Sequence, residues 1–394
     1  MLRVFFIFSF LFLHGLCALA EITDVSQDVL MPGLIHHRFV KHVGRGSVII
    51  NILEADLQKG FSIKPALAQS NTIWAKATLP QIVQNEGAVA GINANYFNNH
   101  GMPIGSLAIN NEWITGPVFK RASASIDKYG KLHFARPVVT GKLSIYRGNT
   151  NSPLSATFPM AGKAPLTSIL VDSINQLDAL NLDGVCFYNH WWQDKVLCGN
   201  NRACVLVDGN GIVRMKVNAS DSVNPIYPTR TDYVLSARSD DLLSRVFVGD
   251  KVSLSWTSYP DWSNMVHVIG GGPYLVSKGE IILNDTLEGF TANSGIRGVA
   301  PRTALGITSA GRIILLTADG RQKNSVGLSL WELAALLKEI GVYEAINLDG
   351  GGSTTMVANN RIINSPSDSG GPRRVSTALL LYKSSSFQQP SIGQ

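Results

Sequence analysis

The stretch Asn347-Leu-Asp-Gly-Gly-Gly-Ser-Thr-Thr-Met356 places a carboxylate, Asp349, directly before three glycines and three hydroxyl residues. A tight turn needs only one glycine. Gly350, Gly351 and Gly352 together let backbone N–H groups approach a ligand closely and form an anion-binding concavity. Ser353, Thr354 and Thr355 add hydroxyl donors suited to an oxygen-rich substrate. A second acid and an arginine stand in Asp319-Gly-Arg321, and a third acid, Glu288, lies in the loop 284–298 just before Pro301-Arg302. Carboxylates serve as nucleophile, base or acid at an anomeric carbon, where cleavage passes through an oxocarbenium-like state. Arg302 and Arg321 offer planar guanidinium forks suited to an anion. Asn93 and Asn95 precede Tyr96-Phe97. Their amides suit sugar hydroxyls, and Phe97 offers a ring for stacking. His267, on an apolar strand-like stretch, reads as a core histidine rather than a general acid.

Elements must bring these groups together. Short β-rich segments separated by Gly, Asn and Pro turns dominate the chain, among them 47–53, 88–93, 203–207, 212–217, 251–256 and 303–308. The clearest helix spans 329–340: Ser329 with Glu332 fits a capping box, Leu330, Leu333, Ala334 and Leu337 share one face, and Gly341 suits a left-handed cap. A short helix is expected at 80–85. The strand-like run 312–318 precedes the long helix and 343–348 follows it, so this unit reads strand, helix, strand. If both strands are parallel in one sheet, they end at the same edge, with Asp319, Arg321 and Asp349 together. One intervening strand would put the two acids roughly 10 Å apart. The expected fold is α+β: a mixed, mostly antiparallel β-sheet with a few packed helices and one β-α-β unit near the C-terminus.

Residues 1–20 show Arg3, an apolar run and Ala18-Leu19-Ala20 before Glu21, the pattern of a secretory signal cleaved after Ala20. No other stretch is long and apolar enough to span a bilayer, so no membrane span is expected after cleavage. Residues 21–87 read as an N-terminal β-rich segment packed on a main domain at 88–383, with a disordered tail at 384–394. The stretch 148–165 reads as a surface loop or subdomain boundary. The net charge of +6 is spread without a basic run, which argues against nucleic acid as a partner. Beyond the signal lie Cys186, Cys198 and Cys204. Export permits a disulfide, and the turn-like spacing favours Cys198 with Cys204. Cys186, in an apolar-aromatic setting, reads as inert. No zinc or calcium spacing stands out, and Asp208-Gly-Asn-Gly211 reads as a hairpin turn. Neither a metal nor another cofactor is expected.

Several motifs, in order, resemble the phosphodiester glycosidase domain family. They are the 347–356 stretch, Gly91-Ile-Asn-Ala-Asn-Tyr-Phe97 with Pro103-Ile-Gly105, Ile269-Gly-Gly-Gly-Pro-Tyr-Leu-Val276, Ala300-Pro-Arg-Thr-Ala-Leu-Gly-Ile307, and Asp319-Gly-Arg321 with its following helix. The resemblance runs over about residues 45 to 382. It implies an exported, secreted or periplasmic glycosidase that releases a sugar from an N-acetylglucosamine-1-phosphodiester-like substrate, on cell-surface or extracellular polysaccharide. Asp349 is then the expected nucleophile or base, with Asp319 and Glu288 as further carboxylates. Arg302 and Arg321 are expected on the phosphate, and Asn93, Asn95, Asn347, Gly350, Gly351, Gly352, Ser353 and Thr354 around the substrate. The rival is a non-catalytic anionic-glycan-binding protein of the envelope, but a pure anion binder has no use for carboxylates that repel its ligand.

Overall fold

The computed structural model describes residues 22–146, 164–176, 183–291 and 295–384. The expected signal at 1–20, most of the loop 148–165 and the tail from 385 lie outside the described residues. No helix among the described residues is long and apolar enough to cross a membrane.

Two sheets build the part that matters for the site. The first runs in the order Ile22–Met31, Leu34–Val43, Gly46–Ala55, Ile313–Ala318, Arg302–Thr308, Val342–Asn347, Tyr274–Ser277, Glu280–Ile281. The second runs Arg361–Ile362, Met356–Ala358, Ala90–Asn93, Thr377–Lys383, Phe61–Leu67. Among the described residues the strand pairings are antiparallel, except for one short parallel pair of Ser173–Ile174 with Cys186–Tyr188. The N-terminal stretch does not form a layer of its own. Its strands pair into both sheets, Gly46–Ala55 against Ile313–Ala318 and Phe61–Leu67 against Thr377–Lys383.

The apolar runs of the first sheet are continuous because both of its faces are covered. Leu53, Leu315 and Ile346 turn to the core shared with Ile63, Ile92, Leu379 and Leu381 of the second sheet. Their neighbours Ile52, Leu316 and Ala345 turn the other way, onto the helix Leu330–Glu339. That helix buries Leu330, Leu333, Ala334, Leu336 and Leu337, and each fully buried Leu contributes about 1.5–3 kcal/mol.

The helix joins Ile313–Ala318 to Val342–Asn347, which are not neighbours. Arg302–Thr308 lies between them, antiparallel to both, so the two strands it links run in the same direction and end at one edge. The short helix is Leu79–Asn85, with Thr78 as its cap. Cys198 and Cys204 are joined, with Cα atoms 5.6 Å apart, and Cys186 is free and buried.

The long helix starts where the sequence marks it. Ser329 Oγ accepts from the Glu332 N–H at 3.2 Å, and the Ser329 N–H donates to Glu332 Oε2 at 2.8 Å. Arg45 on the N-terminal hairpin donates to the same carboxylate and to Gly327 O (2.8 Å). This contact, first among the causes, holds the Glu332 carboxyl down at about 2. Replacement of Ser329 by Ala removes the cap acceptor and should lower stability by about 0.5–2 kcal/mol in urea unfolding. An unchanged midpoint would show that Glu332 and Arg45 alone fix the helix start.

Candidate active site

The glycine-rich stretch is the crossing between the two sheets. The chain leaves the first sheet at Asn347, turns through a short 3-10 segment at Gly351–Ser353, and enters the second at Met356. Backbone groups in a crossing belong to neither ladder and need other partners. Asn93, fully buried at the end of its own strand, supplies two of them and ties the crossing to the first sheet. Its Oδ1 accepts from the Thr355 N–H (3.1 Å) and Thr303 Oγ1 (2.9 Å), and its Nδ2 donates to Asp349 O. Ala94 O accepts the Asp349 N–H at 2.9 Å.

The expected cradle of free N–H groups is largely absent. The N–H of Gly351 donates to Pro301 O, that of Ser353 to Gly350 O, and that of Thr354 to Gly351 O. The glycines instead make room for arginines. Gly351 has φ +61°, and a Cβ there would lie 3.2 Å from Arg321 Nη2. A Cβ on Gly352 would collide with the guanidinium of Arg373 and the carboxylate of Asp368. Arg373 is paired in two-pronged fashion with Asp368 at 2.8 and 3.1 Å.

Asp349 is partly open, and among the described residues it forms no ion pair. Its carboxyl is pushed up to about 6 by burial, opposed by a hydrogen bond from Ser353, the charge of Arg373 and the Gly350 N–H. Beside it is Tyr96, whose hydroxyl donates to Gly272 O (2.8 Å) and accepts from Asn347 Nδ2 (2.7 Å). Burial first, then the charge of Asp349, drives the Tyr96 pKa upward, against the charges of Arg121 and Arg302. Asn347 also donates to Gly272 O and Leu348 O, while its Oδ1 is buried without a partner.

The other anticipated residues are committed elsewhere. Asp319 is 1% exposed. Its carboxylate accepts from Asn364 Nδ2 (2.9 Å) and from the Ser365 N–H (3.1 Å to each oxygen). Burial pushes it up to about 6, against those same hydrogen bonds. Asn364 also donates to Thr354 O and accepts the Met356 N–H, so Asp319 braces the far side of the crossing. Glu288, expected as a further catalytic carboxylate, is turned away from solvent. It is fully buried and accepts from the N–H groups of Ala122 (2.7 Å) and Tyr274 (2.9 Å) and from Arg136 Nε (2.8 Å).

Arg302 is 2% exposed and donates to the carbonyls of Leu328, Ile296 and Gly298. Burial lowers its pKa to about 10. Asn95 is held by Ser106 O and Thr377. Phe97 joins an apolar cluster with Ala75 and Tyr382, and its strand neighbour Tyr96 is the ring that borders the site. Arg321, by contrast, is exposed, and among the described residues no hydrogen bond or ion pair engages it.

A partly open acid at a sheet edge, with the unengaged Arg321 against its glycine turn, has the chemistry to attract an anionic group. Residues 201–382 match the family model described as phosphodiester glycosidase, so the resemblance carried by the motifs is shown over this stretch. The segments 91–97 and 103–105 lie outside it. The chain is 36% identical over 132 residues to the Bos taurus N-acetylglucosamine-1-phosphodiester alpha-N-acetylglucosaminidase, which covers 30% of this chain and 25% of the relative. The Homo sapiens enzyme is 34% identical over the same length and shares. The chain therefore spans about a quarter of the length of these curated relatives.

Three solved structures share the fold. A hypothetical protein from Synechocystis has a TM-score of 0.77 at 22% identity, covering 92% of this chain and 64% of that one. A Burkholderia pseudomallei protein described as exported has a TM-score of 0.66 at 20% identity, covering 88% and 77%. The catalytic domain of the zebrafish N-acetylglucosamine-1-phosphodiester alpha-N-acetylglucosaminidase, auto-inhibited by its pro-peptide, has a TM-score of 0.50 at 19% identity, covering 92% and 88%.

Asn93, Tyr96, Arg121, Asn364 and Arg373 give this site its shape, and of these only Asn93 carries a spacing signal strong enough to be singled out in the sequence. Asn93→Ala would orphan the Thr355 N–H and Asp349 O inside the protein and leave Thr303 Oγ1 with Thr354 alone. The expected loss is about 2–4 kcal/mol in equilibrium unfolding. A loss below about 0.5 kcal/mol would mean that the crossing holds itself without Asn93.

Proposed function

We propose that this chain is an exported glycosidase. It hydrolyses the anomeric C–O bond of a sugar joined to a phosphodiester, of the N-acetylglucosamine-1-phosphodiester kind, on cell-surface or extracellular polysaccharide. The observation that carries this reading is the partly open, unpaired Asp349 on the same glycine turn that seats the free Arg321. The match over 201–382 to a phosphodiester glycosidase model supports it. The disulfide and the exported relative support the compartment.

In this reading Asp349 acts at the anomeric carbon as nucleophile or base, and Arg321 holds a phosphate oxygen. The leaving group is a phosphomonoester, far less basic than an alkoxide, so protonation of the leaving oxygen contributes little. Asp319 and Glu288 act as buried braces, since their oxygens are already engaged. Arg302 fastens the loop 296–298 to the site.

The reading is tested by incubating the protein with UDP-N-acetylglucosamine and a panel of sugar phosphodiesters. Free sugar is expected, with UDP from the first probe and a phosphomonoester from the phosphodiesters, and Asp349→Asn should cost on the order of 10³ or more in kcat. A variant within threefold of the parent would remove Asp349 from the reaction.

A pH profile checks the same residue. With its carboxyl near 6 and the ionised form required, kcat/KM should climb about tenfold per unit below that value and level off above it. A profile that falls through pH 6 would make Asp349 the proton donor instead.

A further inference from the structure

Arg121 is the cation the mechanism above leaves unused. Its guanidinium lies 4.3 Å from the ring centroid of Phe290, 5.5 Å from that of Tyr96 and 5.4 Å from that of Phe119. The Phe290 and Tyr96 rings pack together at 5.7 Å, and Phe119 is 62% exposed at the rim. Among the described residues no hydrogen bond or ion pair engages this guanidinium, and its Nε is buried without a partner. Burial alone is unfavourable for such a group, and a buried donor left unpaired adds to the cost.

The acids nearby do not serve it. Glu288 lies within electrostatic reach of Arg121. Its oxygens, however, are engaged by Ala122, Tyr274 and Arg136. Arg373 likewise has Asp368. Among the described residues Arg121, against the Tyr96 ring, and Arg321, against Gly351 of the Asp349 turn, are cations near this centre without a carboxylate partner.

We propose that Arg121 is the second phosphate-binding residue of the site beside Arg321, its guanidinium, held against the aromatic rings, taking a phosphodiester oxygen in the role that Arg302 cannot fill. This rests on the reading of the site as a sugar-phosphodiester glycosidase. The aromatic rings fix the plane of the fork, and a fixed planar fork binds two oxygens of a phosphate with little further ordering. Aromatic stacking also keeps water from solvating the guanidinium, which strengthens its attraction for an entering anion.

The test compares parent and Arg121→Met on UDP-N-acetylglucosamine and on an uncharged aryl glycoside of the same sugar. Calorimetric binding of both probes is measured in the Asp349→Asn background. Arg121→Met should weaken binding and kcat/KM for the phosphate-linked substrate at least about tenfold. The aryl glycoside should change by less than about threefold. The salt dependence of binding should fall with the lost charge. Equal losses on both substrates, or none on either, would overturn the assignment.

If Arg121→Met does not fold, Arg121→Lys decides. It keeps the charge and stem but loses the fork, and the same selective loss is expected, with an equal loss again counting against the proposal. Failure of the underlying reading looks different. In that case the parent itself releases no sugar from any phosphodiester, whatever stands at 121.

Discussion

A chain that passes from one packed sheet into another must find partners for every backbone group on the way, and here one buried amide ties that crossing to both sheets. Asn93 receives the Thr355 N–H and the Thr303 hydroxyl and donates to Asp349 O. It thereby ties the end of a second-sheet strand to two strand ends of the first. The position of the Asp349 carboxyl follows from that tie, because its backbone is pinned on both sides by Asn93 and Ala94. The glycines belong to the same constraint. With the crossing pulled tight, Gly351 takes a φ of +61° beside Arg321, and only a residue without a Cβ at 352 leaves space for the Arg373–Asp368 pair.

Charge pairing sorts the acids and arginines into two groups. Asp319 and Glu288 are buried, and their oxygens are taken up by N–H donors. Such acids brace loops at modest net gain, because desolvation offsets much of the attraction. Arg302, Arg136 and Arg373 are likewise engaged, by carbonyls or a carboxylate. Among the described residues around the site, Asp349, Arg321 and Arg121 are left without such partners. That remainder, rather than the total of charged residues around the edge, is what the site can offer a substrate.

The fold was legible where local chemistry decides it. Ser329, Glu332 and Gly341 mark the helix because capping involves residues a few positions apart. The apolar runs 312–318 and 343–348 read as buried strands, and a shared direction in one sheet was the condition under which Asp319 and Asp349 would reach the same edge. Asp349 stood out through its glycines. The glycine function did not follow, because a sequence cannot show that Gly352 faces an Arg373–Asp368 pair. Tyr96 and Phe97 illustrate a smaller failure. Alternation in a strand says that only one of them faces the site, but choosing which needs the register against Pro103–Ile104. Arg121 had no signal at all, since its partners are rings from segments far apart in the chain.

The separation of Asp349 from its neighbouring cations has a mechanistic consequence under the proposed reaction. Ser353 and the Gly350 N–H hold the carboxyl, and Asp368 holds Arg373, so the acid does not close an ion pair that would blunt it. A bound phosphodiester carries one negative charge, and the departing phosphomonoester carries more as the C–O bond breaks. Guanidinium groups fixed beside it therefore bind the transition state more strongly than the ground state, which is the form of binding that raises kcat. An enzyme cutting an ordinary glycoside needs a second carboxyl to protonate the leaving oxygen. Here the cations meet that demand electrostatically, which agrees with a site whose other two acids are sealed into the scaffold.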